Sequence, residues 1–352
     1  MPPRFLKAAL RDFEPYVPGF QPADEAGWLK LNSNESSYPP SPHVIEAVRA
    51  AAGDSLRLYP SPLADEGREA IARACGVRPD QVRLGNGEDE LIELCFKAFA
   101  GAGDRVAFTW PTYPVLEPLC GILETEPSAH PLGPQWSLPE SFFADPAPLK
   151  FLVNPNSPTG ALYAREQVTE VIERSAGVVV LDEAYVDFAP SSCLQLLDGH
   201  ENLVVLRTMS KSYALAGMRL GFAIAHPDLC AALDVVKDSY PVDRLAIAAA
   251  VAAAADRSWR DHIVGNVVAD REWFAGEMQA LDFEVTPSAA NFVLARPPEG
   301  IAAIDVKAGL EARRILIRHF PKAPLEGWLR ITIGTHDEMA RVLKAIQEVI
   351  RA

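Results

Sequence analysis

The chain has 352 residues, enough for two domains around a large core. Its 49% hydrophobic and 23% charged residues are the balance of an ordinary soluble globular protein. With 33 basic residues against 47 acidic ones the formal net charge is −14, which argues against nucleic acid or an anionic membrane as partner but still allows a small anion held by a local Arg/Lys cluster. The five cysteines are scattered without a C-x-x-C pair and the seven histidines lack ligand spacing, so neither a disulfide framework nor a metal site is expected. Residues 1–19 lack the apolar core of a signal peptide, and no stretch free of charge and proline reaches membrane-spanning length, so a cytoplasmic protein is expected.

Residues 1–40 are proline-rich and irregular, yet Phe5, Phe13, Tyr16, Phe20 and Trp28 call for burial, so this arm is expected to lie over the body. Ser41-Pro42 opens a helix to about Ala52, with serine as cap and proline in the first turn. A second helix, Ala64 to Cys75, stops at Gly76. Strands then alternate with helices. Val82–Leu84 leads into Gly85-Asn86-Gly87 and a helix from Glu88 to Phe99; Arg105–Phe108 ends at Trp110-Pro111-Thr112-Tyr113. Lys150–Val153 ends at Asn154-Pro155-Asn156-Ser157-Pro158-Thr159-Gly160, and Val178–Leu181 at Asp182-Glu183-Ala184-Tyr185. Leu203–Leu206 runs into Thr208-Met209-Ser210-Lys211, and Leu220–Ile224 is a further apolar strand. This rhythm predicts an α/β fold with a mostly parallel sheet covered by helices on both faces. The run Leu245–Ala255 reads as a packed helix. Beyond about Arg271 the pattern changes to short strands at Phe283, Asn291, Ile315 and Trp328 with helices at Ala303 and His336, a smaller α+β unit. The expected domains are an arm at 1–40, a large domain at 41–270 and a small one at 271–352.

In open α/β sheets ligands sit beyond the carboxyl ends of the strands. The distinctive polar residues fall there repeatedly: Gly85-Asn86-Gly87 before a helix N-terminus suited to phosphate, then Tyr113, Asn156-Ser157, Asp182 and Lys211. Each alone has an ordinary explanation as turn former, helix cap, core aromatic or solvated lysine. Five such strand ends together are a site. A phosphate cradle, an aromatic face, a carboxylate and a lysine are what pyridoxal phosphate needs, the lysine for its aldehyde and the carboxylate for its pyridine nitrogen. A nicotinamide site would need a third glycine, and Gly85-Asn86-Gly87-Glu88-Asp89-Glu90 has none.

These segments, with Leu31-Asn32-Ser33-Asn34-Glu35, Arg57-Leu58-Tyr59-Pro60, Ser288-Ala289-Ala290-Asn291-Phe292 and Leu329-Arg330-Ile331-Thr332-Ile333-Gly334-Thr335, run in the order and spacing of a known group. The chain resembles the fold-type I pyridoxal phosphate aminotransferases and, within them, the histidinol-phosphate aminotransferase family. The resemblance implies a seven-stranded-type sheet and a homodimer. It makes Lys211 the Schiff-base lysine and proton shuttle, Asp182 the partner of the pyridine nitrogen and Tyr113 the stacking ring. Tyr185 with Asn156 or Ser157 would approach the ring hydroxyl. Backbone N–H groups of Glu88 and Asp89, with Thr208, Ser210 and Arg219, would hold the cofactor phosphate, which Tyr59 would reach from the other subunit. Arg330 would bind the substrate anion, with Tyr16, Asn34 and Arg318 beside it.

Two departures stand out. Ser157 occupies a position where the family often has asparagine, so the ring-hydroxyl contact falls to either Asn156 or Ser157. Glu88 replaces a small residue beside the phosphate; a free carboxylate there would repel a dianion, so its side chain is expected to point away. The implied reaction moves the amino group of histidinol phosphate to 2-oxoglutarate. An aromatic amino-acid aminotransferase, a threonine-phosphate decarboxylase and a non-catalytic cofactor-binding homologue are the alternatives.

Overall fold

The computed structural model describes residues 4–6, 10, 19–23 and 27–351. Its strands are β1 (Leu29–Leu31), β2 (Val82–Asn86), β3 (Arg105–Trp110), β4 (Glu126–Pro131), β5 (Leu149–Val153), β6 (Val178–Asp182), β7 (Leu203–Thr208), β8 (Leu220–Ala225), β9 (Glu284–Val285), β10 (Phe292–Arg296), β11 (Ile315–His319) and β12 (Leu329–Thr332). Seven of them form one sheet in the order β2-β8-β7-β6-β5-β3-β4, parallel from β4 to β7, with β8 running antiparallel to both neighbours. The central strands are apolar throughout because both faces are covered. Val180, Val204 and Leu206 pack with Leu91, Phe96 and Leu119 on one face. Val179, Leu181 and Val205 pack with Phe142, Val168 and Val171 on the other.

The remaining five strands form a second sheet, β1-β11-β12-β10-β9. β1 belongs to the N-terminal segment and pairs in parallel with β11, Leu31 opposite Ile317. Its alternation of buried Leu29 and Leu31 around Lys30 is the period-2 pattern of a half-buried strand. Three helices, Arg257–Ala280, Ala303–Glu311 and His336–Ile350, cover this sheet, with Ile263, Val267, Phe274 and Met278 of the first in its core. The change of core therefore falls near Asp256, which caps that helix through its side chain, and the helix itself runs across residue 270. Ser41 accepts from the His43 N–H at the start of the Pro42–Ala51 helix and donates to Asp256, which ties the two helix starts together.

β4 has no counterpart in the sequence reading. Its Glu-Pro-Ser-Ala-His-Pro segment carries two prolines and no apolar periodicity, and it survives as a strand because it is the sheet edge, where a missing N–H is tolerated.

Leu31 is fully buried at the junction of the arm with the second sheet. Leu31→Ala should lower unfolding free energy by about 2–5 kcal/mol, read as a fall in urea midpoint; an unchanged midpoint would mean that β1 adds nothing to the fold.

Candidate active site

The parallel register of β5, β6 and β7 sets the site. Val153 stands opposite Asp182 and Asp182 opposite Leu206, so β5 and β6 end at one level and β7 runs just past it to Thr208. One cavity beyond them is lined by Glu88, Asp89, Tyr113, Val153, Ser157, Asp182, Ala184, Tyr185, Thr208, Ser210, Lys211 and Arg219. Strand alternation then sorts the neighbouring acids Asp182 and Glu183 to opposite sides. Asp182 faces the cavity and accepts the Ala184 N–H at 2.9 Å. Glu183 turns away to an ion pair with Arg207 at 2.7 Å and to Ser192 and the Cys193 N–H.

The phosphate end is built on backbone. Gly87 caps the Glu88–Phe99 helix with no side chain to serve its first N–H groups, which leaves them for a ligand. Gly87 sits at φ +83°, and a Cβ there would lie 2.4 Å from Nη2 of Arg219. Asp89 receives the Tyr113 hydroxyl at 2.8 Å and Arg219 at 3.1 Å, so its side chain fixes the ring and the guanidinium at the same end. The Thr208 hydroxyl donates to the Leu220 carbonyl at 3.2 Å and lies 3.0 Å from the Ser210 hydroxyl, from which it can accept. On the far side Lys211 Nζ lies 3.5 Å from the Ser33 carbonyl and 5.9 Å from the centre of the Tyr185 ring. The Tyr185 hydroxyl accepts Nδ2 of Asn34 at 2.8 Å.

Burial dominates the acid pair at the cavity floor. Asp182 is 5% exposed and pushed up to about 6; Glu88, 9% exposed, is pushed well above the usual carboxylate range by burial and then by the neighbouring Asp182. The Glu88 side chain is thus turned into the cavity and not away from it.

Not every expected residue reaches the cavity. Asn156 is outside it because its amide is spent tying its loop to the one after β3, accepting from Thr112 at 3.0 Å and donating to Pro111 O at 3.0 Å, with Thr159 of its own loop at 2.8 Å. Ser157 is the one of the pair on the wall, and it accepts from Arg330 at 3.4 Å. Asn34 holds Tyr185 and Thr332 rather than facing the cavity. Arg330 also donates to the Asn32 carbonyl at 2.9 Å. Arg318 is its register partner on β11, and the two guanidinium groups lie 5.6 and 5.7 Å from the centre of the same ring, Phe320. Tyr59 is 75% exposed and stacks on Tyr240, remote from this chain's own cavity lining. Tyr16 lies outside the described residues. Sequence reasoning missed Val153 and Ala184 as walls; each adjoins a polar strand-end residue, which is the signal that would have found them.

The donor set fits pyridoxal phosphate: unserved helix N–H groups and Arg219 for the phosphate, the Tyr113 ring, a buried carboxylate and a lysine across the cavity. Among the described residues no cluster of His, Cys, Asp and Glu could hold a metal ion.

Known proteins agree with this reading. Residues 26–346 match the family of class I and II aminotransferases. A histidinol-phosphate aminotransferase of Geotalea uraniireducens is 44% identical over 337 residues, covering 95% of this chain and 96% of that protein. Among solved structures, the histidinol-phosphate aminotransferase of Sinorhizobium meliloti in complex with pyridoxal-5′-phosphate superposes with a TM-score of 0.84 at 28% identity, over 92% of this chain and 91% of that one. The L-threonine-O-3-phosphate decarboxylase of Porphyromonas gingivalis superposes with a TM-score of 0.81 at 23% identity, over 92% and 100%, which is a likeness of fold alone.

Gly221 of β8 lies against the phosphate cradle, where a Cβ would stand 2.5 Å from the Glu88 nitrogen and 2.6 Å from the Gly87 carbonyl carbon. Relief would require moving backbone that the β2–β8 register holds. Gly221→Ala should lower stability by about 1–3 kcal/mol and weaken uptake of pyridoxal phosphate by the apoenzyme at least tenfold. A folded variant that binds the cofactor as wild type does would contradict this account of the cradle.

Proposed function

We propose that this chain, which belongs to the class I and II aminotransferases, exchanges the amino group of L-histidinol phosphate with 2-oxoglutarate, giving imidazole-acetol phosphate and glutamate in histidine biosynthesis. The observation that carries the reading is the pair of arginines from neighbouring strands, Arg318 and Arg330, converging on Phe320 beside the Ser157 wall of the lysine cavity. The family and the curated relatives support the same substrate.

When bound, pyridoxal phosphate supplies an electron sink for the pair left at the substrate's α-carbon. The chain's residues do the rest. Glu88 and Asp89 N–H groups, Ser210 and Arg219 would hold the cofactor's phosphate end, Tyr113 would stack against its ring, and Asp182 would pair with its pyridine nitrogen. Lys211 Nζ would take the α-proton from the amino donor and pass it to the cofactor, and in the second half of the exchange would carry a proton the other way, to the α-carbon of the acceptor. Tyr185, held by Asn34, offers its hydroxyl on the same side. Arg330 binds an anion through paired N–H donors, so the phosphate ester of one substrate and the α-carboxylate of the other can use the same fork. Arg318, in register beside it, strengthens the preference for a dianion.

The catalytic unit proposed is a homodimer, with the cavity in the 41–270 part and both arginines in the 271–352 part. Tyr59 would reach the other copy's phosphate. Its exposure, with that of Leu56 and Leu58, supports a covered surface there. We assign the protein to the cytoplasm; among the described residues no helix is long and apolar enough to cross a membrane.

Single-turnover loss of the yellow absorbance should be fastest with histidinol phosphate and at least tenfold slower with phenylalanine at equal concentration, and Lys211→Ala should abolish it with every donor. Phenylalanine reacting fastest would make the protein an aromatic aminotransferase, and release of carbon dioxide without an acceptor would make it a decarboxylase. Sedimentation equilibrium should give twice the 38.3 kDa chain mass, and Tyr59→Phe should weaken cofactor retention. A monomer with full activity would remove Tyr59 from the site.

A further inference from the structure

Glu88 has no part in the chemistry proposed above beyond its backbone N–H, yet its side chain occupies the cavity. It begins the Glu88–Phe99 helix, is buried, and shares the wall with Asp182, Lys211 and Arg219. No N–H or hydroxyl donor of the described residues reaches its buried Oε1. The group hydrogen bonded to this side chain is another acid, Asp182. Two carboxyl groups in contact in a dry site cannot both ionise, so they hold a proton between them.

The charged and titratable groups facing the pair come from every element around it. Asp89 lies on the same helix, Tyr113 after β3, Tyr185 after β6, and Lys211 and Arg219 between β7 and β8. Lys211 favours ionisation of both acids and Asp89 opposes it. Burial is the largest effect on each acid, and the hydrogen bond between them raises Glu88 and lowers Asp182. The proton therefore belongs to Glu88, whose O–H donates to the Asp182 carboxylate.

Asp182 is also the acceptor that the cofactor reading assigns to the pyridine N–H, and this inference rests on that reading. A carboxylic acid O–H and a pyridinium N–H are donors of the same kind for the same carboxylate. We propose that Glu88 is a positioning residue that competes with the cofactor for Asp182: it holds the carboxylate in the apoenzyme, and uptake of pyridoxal phosphate displaces it to water and releases its proton. The O–H bond of Glu88 breaks, the electron pair stays on the carboxylate, and the proton goes to the buffer. Loading of the enzyme is then linked to pH. The apoenzyme binds one proton more than the loaded enzyme between the ordinary carboxylate range and the raised range of Glu88, so affinity for the cofactor rises with pH across that window.

The test is titration of apoenzyme with pyridoxal phosphate by tryptophan-fluorescence quenching from pH 5.5 to 8.5, with proton release measured calorimetrically in two buffers of different ionisation enthalpy. Wild type, Glu88→Gln and Glu88→Ala are compared after circular dichroism has established that each is folded. Wild-type affinity should rise by about tenfold more per pH unit than that of either variant, as one linked proton requires, and its uptake should release one proton more. Glu88→Gln keeps a donor for Asp182 but cannot ionise, so it should lose the extra slope without losing the fold. Equal slopes and equal proton counts in all three proteins would overturn the inference. Failure of wild type to take up pyridoxal phosphate at any pH would overturn the cofactor reading instead.

Discussion

A carboxylate at the end of a buried apolar strand is the constraint on which the site depends. Asp182 follows four apolar residues of β6 and is nearly inaccessible. An isolated ion in such a place would cost several kcal/mol. One backbone N–H, from Ala184, does not balance that charge. The surroundings answer with a cation across the cavity, Lys211, and with an acid that lends a hydrogen bond, Glu88. A protonated heteroaromatic nitrogen answers the same need, which is why the apolar strand and its terminal acid together describe the ligand better than either does alone.

The second sheet matters because it reaches this centre through a few buried polar contacts. Asn34 adopts a left-handed φ of 55°, a conformation that asparagine tolerates better than most residues. In that shape it donates to Tyr185 while accepting from Thr332 of β12, and its carbonyl accepts from Asn291. One amide thus joins the loop after β6 to the strand that carries Arg330. The cofactor end and the anion end of the site are parts of one hydrogen-bonded frame, so the spacing between proton shuttle and anion fork is set before any substrate arrives.

Much of this was legible in the sequence because parallel strands end in conspicuous punctuation. Asp182 follows its apolar run directly and Lys211, Tyr113 and Ser157 come a few residues after theirs, and the structure brings all four to one cavity. The direction of Glu88 was not legible. Local chemistry said that a carboxylate should avoid a phosphate site, whereas its course depends on the position of β6 relative to a helix that follows β2, a relation with no local signature. Asn156 misled for a related reason: an asparagine in a Pro-rich turn is as able to bind backbone and side chains of neighbouring loops as a ligand, and here Thr112 and Pro111 after β3 and Thr159 of its own loop take its amide. β4 escaped because an edge strand needs no apolar alternation. The long Arg257–Ala280 helix blurred the domain boundary, since its apolar residues follow helical spacing on both sides of residue 270.

The prolines of β4 have a consequence for the molecule in solution. Glu126 N–H reaches the Asp104 carbonyl and Leu132 N–H reaches the Trp110 carbonyl, so the even-numbered residues between them point their N–H groups toward β3 and the odd-numbered ones point outward. Pro127 and Pro131 are therefore both on the open side, and Ala129 is left as the outward donor of the strand. An incoming strand of another chain would find carbonyl acceptors there but too few N–H donors to complete a ladder. The same residues that hide β4 from periodicity keep this edge of the seven-stranded sheet from serving as a template for aggregation.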